Sequence, residues 1–207
     1  MSRDVIFDLG GVVFRWQPLL LLQQLFADRV PDEKTALHWA EQIFQGFLPG
    51  SDWAEFDLGH IEPEPLAQRI AQRTQFDVRD IGHLISSIPP HLIPIEGTVR
   101  LIEKLKQAGH RIYFLSNMPR PYAEYLTKTN AFFEHFVDGI FSAHVHEIKP
   151  KPSIFEIAQN RWALNNDVVF IDDVQKNIDA AVDFGWQGIQ FSEPTQLHEE
   201  LIKRQYL

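Results

Sequence analysis

Three short runs along the chain are apolar without alternating: Val5-Ile6-Phe7, Ile112-Tyr113-Phe114-Leu115 and Val168-Val169-Phe170-Ile171. β-branched and aromatic residues in runs this short suit strands covered on both faces, as in a parallel sheet. A turn of buried helix would also fail to alternate, but each run stops abruptly at polar residues, which favours strands. Gly188 to Phe191 and Ile140 to Ala143 read as two further short strands. Between the runs, apolar positions fall at helical spacing. Val99, Ile102 and Leu105 share one face of a segment that closes at Ala108-Gly109, with Lys104 and Lys106 in its last turns. Ile154, Phe155 and Ala158 repeat the pattern after Pro152-Ser153, and Ile178, Ala181 and Val182 repeat it before Gly185. Strand and helix in alternation predict right-handed βαβ units and an open parallel α/β sheet.

Residues 16–90 have a different pattern, helix upon helix with no strand. Leu19 to Phe26, Lys34 to Phe44, Leu66 to Arg73 and Val78 to Ile88 are the expected helices, punctuated by Pro31, Pro49-Gly50, Gly59, Pro63 and Pro65. This block begins right after the first strand and closes at Pro89-Pro90 and Pro94, so it is expected to be an insertion into the sheet domain. The resulting division is a core of residues 1–15 and 91–207 with a helical domain of residues 16–90. A chain of 207 residues suits one domain carrying such an insertion.

Composition narrows the class of function. With 44% hydrophobic and 23% charged residues the chain matches ordinary globular proteins, which rules out wholesale disorder. Lys and Arg number 19 against 28 Asp and Glu, a net charge of −9 that would repel a nucleic-acid backbone. The absence of cysteine excludes disulfides, thiolate zinc sites, iron–sulfur clusters and a Cys nucleophile. The chain opens Met-Ser-Arg-Asp straight into a strand, and its longest apolar stretch, Leu19 to Leu22, is far short of a membrane span. A cytoplasmic protein with neither nucleic-acid nor membrane partners is expected.

The candidate chemistry gathers at strand ends. The first strand ends in Asp8, the second in Ser116-Asn117 and the third in Asp172-Asp173. In an open α/β sheet the carboxyl ends of the strands line the ligand crevice, so these residues should converge on one rim. Carboxylates that crowd together repel unless a cation lies between them, and hard oxygen ligands without sulfur or His point to Mg²⁺. A blander role is open for each residue singly, because Asp and Ser also end strands to cap the next helix. Gly10-Gly11 after Asp8 would let the backbone approach a phosphate closely, although paired glycines also serve ordinary tight turns.

Four segments in this order resemble the haloacid dehalogenase superfamily of phosphotransferases and hydrolases. FDLGGVVF resembles its first motif, with Asp8 as nucleophile, and FLSN its second, with Ser116 as the phosphate-binding hydroxyl. IKPKPSIF resembles the third, which places the motif lysine at Lys149, and FIDDVQKNIDAA the fourth, with Asp172, Asp173 and downstream Asn177. The resemblance runs from residue 4 to about residue 192 and implies that the helical insertion is a cap over the active site of a Rossmann-like core. Its nearest flavour is the glucose-1-phosphatase-like group and the phosphatase domain fused to epoxide hydrolases.

The resemblance implies a Mg²⁺-dependent phosphatase acting on a small phosphorylated metabolite, with a sugar phosphate favoured. Asp8 would form an aspartyl-phosphate. Mg²⁺ would be held by Asp8, the Gly10 carbonyl, Asp173 and Asp172. Ser116, Asn117, Lys149 and the amides of Gly10 and Gly11 would bind the phosphoryl group. One departure is plain: most phosphatases of the superfamily carry a second Asp, the general acid/base, where this chain has Gly10. A metal-independent dehalogenase and a catalytically weak binding relative are the rivals. Lesser candidates are a metal site at His144, His146 and Glu147, a pocket lined by Trp16, Trp39, Phe44, Phe47, Trp53 and Phe56, and an Arg120 reaching substrate; Lys151 is expected to be exposed.

Overall fold

The computed structural model describes residues 2–164 and 167–207. Its strands are β1 (Asp4–Phe7), β2 (Arg111–Ser116), β3 (Asp138–Phe141), β4 (Val168–Asp172) and β5 (Gln187–Gln190). They form one parallel sheet in the order β3-β2-β1-β4-β5. All five expected strands are present, with ends shifted by no more than about two residues. Alternate residues of the central strands face opposite sides. Val5, Phe7, Ile112, Phe114, Val169 and Ile171 join one core, and Ile6, Tyr113, Leu115, Val168 and Phe170 the other. Helices cover both faces, which is why these strands read as continuous apolar runs.

The helices between β1 and β2 are α1 (Pro18–Leu25), α2 (Glu33–Phe44), α3 (Asp52–Asp57), α4 (Pro63–Thr74), α5 (Val78–His91) and α6 (Glu96–Gln107). Of these, α6 packs on β2 and on α11 (Pro194–Lys203) and belongs to the sheet layers. The chain leaves and re-enters the core through a short two-stranded stem. Arg15 N donates to Ile93 O at 2.9 Å and Ile95 N to Val13 O at 2.7 Å. The remaining helices are α7 (Arg120–Thr129), α8 (Ser142–Val145), α9 (Pro152–Trp162) and α10 (Gln175–Phe184).

The structure adds α7, α8 and α11 to the expected helices and departs from them at two further places. Helix α3 was hidden by the turn signals Pro49-Gly50 and Gly59 on either side of it; Ser51 caps it, accepting from Ala54 N at 3.1 Å. Helix α5 does not stop before Pro89-Pro90 but runs through both to His91. Proline lacks the N–H that would bond the carbonyl four residues back. For Pro89 that carbonyl is Ile85 O, and the buried Tyr122 hydroxyl of α7 supplies the missing donor at 2.8 Å.

That substitution of one donor for another is testable. Tyr122→Phe should cost about 1–3 kcal/mol of stability, the price of a buried carbonyl left unsatisfied. In a Pro89→Ala background, where the helix regains its own donor, the same change should cost much less. Chemical denaturation of the four proteins of this cycle checks it; equal costs in both backgrounds would mean that Tyr122 acts through packing alone.

Candidate active site

The order of the sheet reverses at β1. The chain runs from β1 out to β2 and β3 on one side, and returns to β4 and β5 on the other. Ligand crevices form at such a switch point, beyond the carboxyl ends of the strands. Asp8 follows β1 directly, and its N–H continues the ladder with β4 by donating to Ile171 O at 2.8 Å. Asp172 ends β4 and Ser116 ends β2, so adjacent strands deliver all three residues to one rim.

Lys149 occupies the centre of this rim. Its Nζ donates to Asp8 Oδ1 at 2.7 Å and to Asp172 Oδ2 at 2.6 Å, and all three side chains are at least nine-tenths buried. Burial alone would lower the Lys149 pKa, but Asp172 and Asp8 outweigh it and raise the value above the ordinary lysine range. For Asp8 burial dominates: the pKa is pushed up to about 7 although Lys149 pulls it down, with Asp172 and Asp173 adding to the rise. Asp173 is also raised, first by burial and then by Asp172.

The sequence-selected residues divide by role once their partners are known. Asp172 Oδ1 accepts from Val174 N at 2.8 Å and from Asn177 Nδ2 at 3.1 Å, and its Oδ2 accepts from Asn177 as well as Lys149. Asp172 thus braces the turn leading into α10 and the Asn177 side chain, alongside its hold on Lys149, but it does not cap the helix. Asn117, expected among the phosphate ligands, has both ends of its carboxamide on the Lys149 main chain, accepting from N at 2.8 Å and donating to O at 3.0 Å. Its side chain fixes the lysine.

Gly10 and Gly11 also separate. Gly11 takes φ of +80° and donates its N–H to Phe14 O at 2.8 Å, so that amide is not free for the phosphate role expected of it. A Cβ on Gly11 would lie 2.3 Å from Asp173 Oδ2; this glycine makes room for the carboxylate. Gly10 lines the site without positive φ, and a Cβ there would meet nothing within 4 Å.

Oxygens of Asp8, Asp172 and Asp173 lie within 4.8 Å of one another, the group among the described residues able to gather round a metal ion. An all-oxygen donor set with a left-handed glycine clearing space for one carboxylate fits a hard divalent cation. The rival site at His144, His146 and Glu147 does not form: His146 Nδ1 donates to Leu58 O at 2.9 Å, and Glu147 accepts from Ser153 at 2.8 Å. Lys151 is exposed, 3.7 Å from Glu147, and Arg120 donates to Ala143 O at 3.2 Å.

A cavity of about 490 Å³ lies between this rim and the helical insertion. Asp8, Gly10, Ser116, Asn117, Lys149, Asp173 and Asn177 form its core end. From the insertion come Trp16, Phe47, Leu48, Trp53 and Ile88, with Leu92, Met118 and Tyr122 from the core beside them. Of the aromatics expected to line a pocket, Trp16, Phe47 and Trp53 do so; Phe44 and Phe56 are buried against Trp53, and Trp39 packs on Phe76.

Sequence reading missed Asp57, the last residue of α3, which is buried and lines the cavity. Burial, followed by repulsion from Asp8, pushes its pKa up to about 8 despite Lys149. The available signal was an acidic residue beside Phe56 and four positions after Trp53, on the apolar face of a short helix.

No helix among the described residues is long and apolar enough to cross a membrane. A family model for haloacid dehalogenase-like hydrolases matches residues 5–185. A sesquiterpene phosphatase, astK of Aspergillus oryzae, is 24% identical over 193 residues, covering 92% of this chain and 90% of its own. A drimenol cyclase, drtB of Aspergillus calidoustus, is 25% identical over 97% of this chain, which spans 36% of that longer protein. Among solved structures, a haloacid dehalogenase family enzyme of Bacteroides thetaiotaomicron, in complex with magnesium and inorganic phosphate, superposes with a TM-score of 0.72 at 18% identity, covering 93% of this chain and 96% of its own. L-2-haloacid dehalogenase of Xanthobacter autotrophicus, with chloropropionic acid covalently bound, gives 0.66 at 15% identity over 100% of this chain and 85% of its own. The solved structures share the fold, the family model spans most of the sequence, and the chain belongs to the haloacid dehalogenase-like hydrolases.

Proposed function

We propose that the protein is a Mg²⁺-dependent phosphatase that hydrolyses a small phosphate monoester through an aspartyl-phosphate on Asp8. The observation that carries this reading is the carboxylate group of Asp8, Asp172 and Asp173 around a buried lysine. A dehalogenase also needs an Asp nucleophile but has no use for a cation site, and the all-oxygen cluster therefore favours phosphoryl transfer. The magnesium-and-phosphate complex of the Bacteroides enzyme and the activity named for astK support the same class.

Asp8, Asp173 and the Gly10 carbonyl are the groups that would hold Mg²⁺, whose charge would offset that of the phosphoryl oxygens during attack. Asp172 serves chiefly to fix Lys149, since Val174 N, Asn177 and Lys149 already take up its lone pairs. Lys149 draws negative charge toward the nucleophile and presents its ammonium to the phosphoryl group, with Ser116 beside it. Asp8 attacks phosphorus, the alcohol departs, and water then cleaves the acyl phosphate.

The walls of the cavity bear on the substrate. The sequence resemblance favoured a sugar phosphate, whose hydroxyls need hydrogen-bonding partners. The insertion side offers mainly Trp16, Phe47, Leu48, Trp53 and Ile88, with Asp57 as its single acidic group, and the Tyr122 hydroxyl is already committed to Ile85 O. An apolar alcohol fits this wall better than a sugar. The finer grouping with glucose-1-phosphatases is therefore set aside in favour of a monoester with a hydrocarbon or aryl half, a class to which the name of the sesquiterpene phosphatase also points.

Metal dependence separates phosphatase from dehalogenase. Chelation should abolish phosphate release and added Mg²⁺ restore it, whereas turnover of a 2-haloacid that survives chelation would establish the rival. Asp173→Asn should raise the Mg²⁺ needed for half-maximal rate by at least the roughly 10–100-fold that loss of a supporting residue costs a metal site.

The substrate class is read from n-alkyl phosphates of increasing length. Each buried CH₂ is worth about 0.8 kcal/mol, so kcat/KM should rise roughly fourfold per carbon until the cavity is filled. Glucose 1-phosphate turned over more efficiently than hexyl phosphate would return the sugar-phosphate reading.

A further inference from the structure

The mechanism above leaves one buried carboxyl unused. Asp57 lines the same cavity as Asp8, Gly10 and Ser116, but it comes from the insertion side, among aromatic and aliphatic residues. Among the described residues its carboxyl makes no hydrogen bond and no ion pair. Burying a polar group without a partner is costly, and a carboxyl with a purely structural duty would be given one.

The rest of α3's C-terminus is tied down firmly. Ser142 Oγ donates to the Asp57 backbone carbonyl while accepting from Met118 N at 2.8 Å. His146 Nδ1 donates to Leu58 O at 2.9 Å, and Gly59, at φ of +71°, lies so close that a Cβ would meet Ala143 O at 2.9 Å. The core thus fixes the backbone of Asp57 and leaves its side chain for the cavity.

The groups lining the core end of the cavity are already engaged. Asp8 is the nucleophile, Asp173 has the geometry of a cation ligand, Lys149 is ion-paired with Asp8 and Asp172, Gly10 has no side chain, and the Tyr122 hydroxyl donates to Ile85 O. Breaking the P–O bond of an alkyl ester without protonation would leave an alkoxide against an apolar wall.

We infer that Asp57 is the general acid of this site, giving its proton to the bridging oxygen as the alcohol leaves. The inference rests on the phosphatase reading above. In the first step an Asp8 oxygen forms a bond to phosphorus, the electron pair of the P–O(alkyl) bond goes to the alkyl oxygen, and that oxygen takes the proton of Asp57. The products are the neutral alcohol, the aspartyl-phosphate and the Asp57 carboxylate. In the second step water attacks phosphorus, its proton returns to Asp57, and the electron pair of the P–O(Asp8) bond returns to Asp8. The upward shift of Asp57 by burial, to about 8, is consistent with a carboxyl kept protonated at neutral pH.

The test is a series of phosphate monoesters graded by leaving-group acidity: 2,4-dinitrophenyl, 4-nitrophenyl, phenyl and benzyl phosphate. Each is measured for the Mg²⁺-loaded wild type, Asp57→Asn and Asp57→Ala. General acid catalysis is typically worth 10²–10⁴-fold, so both variants should lose about that much kcat on benzyl phosphate. They should lose far less on the dinitrophenyl ester, whose leaving group needs no proton. Both should fold, because the carboxyl has no partner to lose, and their melting temperatures check this. Equal losses across the series, or no loss on benzyl phosphate, would overturn the assignment. A wild type inert toward every ester would overturn the phosphatase reading itself, and the assignment with it.

Discussion

The ammonium of Lys149 between Asp8 and Asp172 is the constraint on which the rest of the site depends. Burying an ion costs several kcal/mol even after relaxation, and good geometry with both partners is needed to offset it. The chain meets that requirement from three strands at once. Asp8 comes from β1 and Asp172 from β4, while Asn117 at the end of β2 clamps the Lys149 peptide from both sides. Removing any one of these groups would leave a buried charge uncompensated, so the cluster contributes position more than stability. It also accounts for the close fit of its surroundings, where Gly11 gives up its side chain to the approach of Asp173.

The helical insertion then sets the dielectric in which those charges act. Its aromatic and aliphatic side chains close the far side of the cavity, and burial raises the pKa of both Asp8 and Asp57. Lys149 separates the two. Asp8 holds the ammonium at 2.7 Å, which favours its charged form, whereas Asp57 has no ion-pair partner among the described residues. Two carboxyls lining one cavity thus stand in different electrostatic surroundings, the arrangement that suits one as nucleophile and the other as acid.

Much of this was legible in the sequence, because the strands are buried on both faces and therefore write themselves as apolar runs with polar ends. Asp8, Ser116, Lys149, Asp172 and Asp173 could be picked out from strand ends and motif order, and the structure brings them together. What could not be read depends on contacts between segments distant in sequence. Pro89-Pro90 signalled a helix end, and only the Tyr122 hydroxyl of a distant helix overrides it. Helix α3 is too short to show a period, and the glycine after it looked like the centre of a loop. Asn117 and Gly11 were expected to bind phosphate, but their bonding partners, Lys149 and Phe14, could not be read from the sequence. Asp57 escaped notice because the helix that carries it was not foreseen, and a lone acid reads as a solvated residue until its burial is known.

The charge balance of the cavity explains why these features occur together. Asp8, Asp57 and Asp173 line it, and the fully buried Asp172 adjoins Asp8 and Asp173, against a single buried cation, Lys149. With every acid ionised, the cavity would carry an excess of negative charge and repel the phosphate group it is proposed to bind. Each acid is relieved of that charge by a different physical means. Asp172 is neutralised through its ion pair and amide bonds, Asp8 and Asp173 have the geometry to share a divalent cation, and burial favours the neutral form of Asp57. An apolar wall and a buried acid within it are therefore one device, since the hydrocarbon surroundings that would welcome an apolar alcohol are also what favours the proton on Asp57.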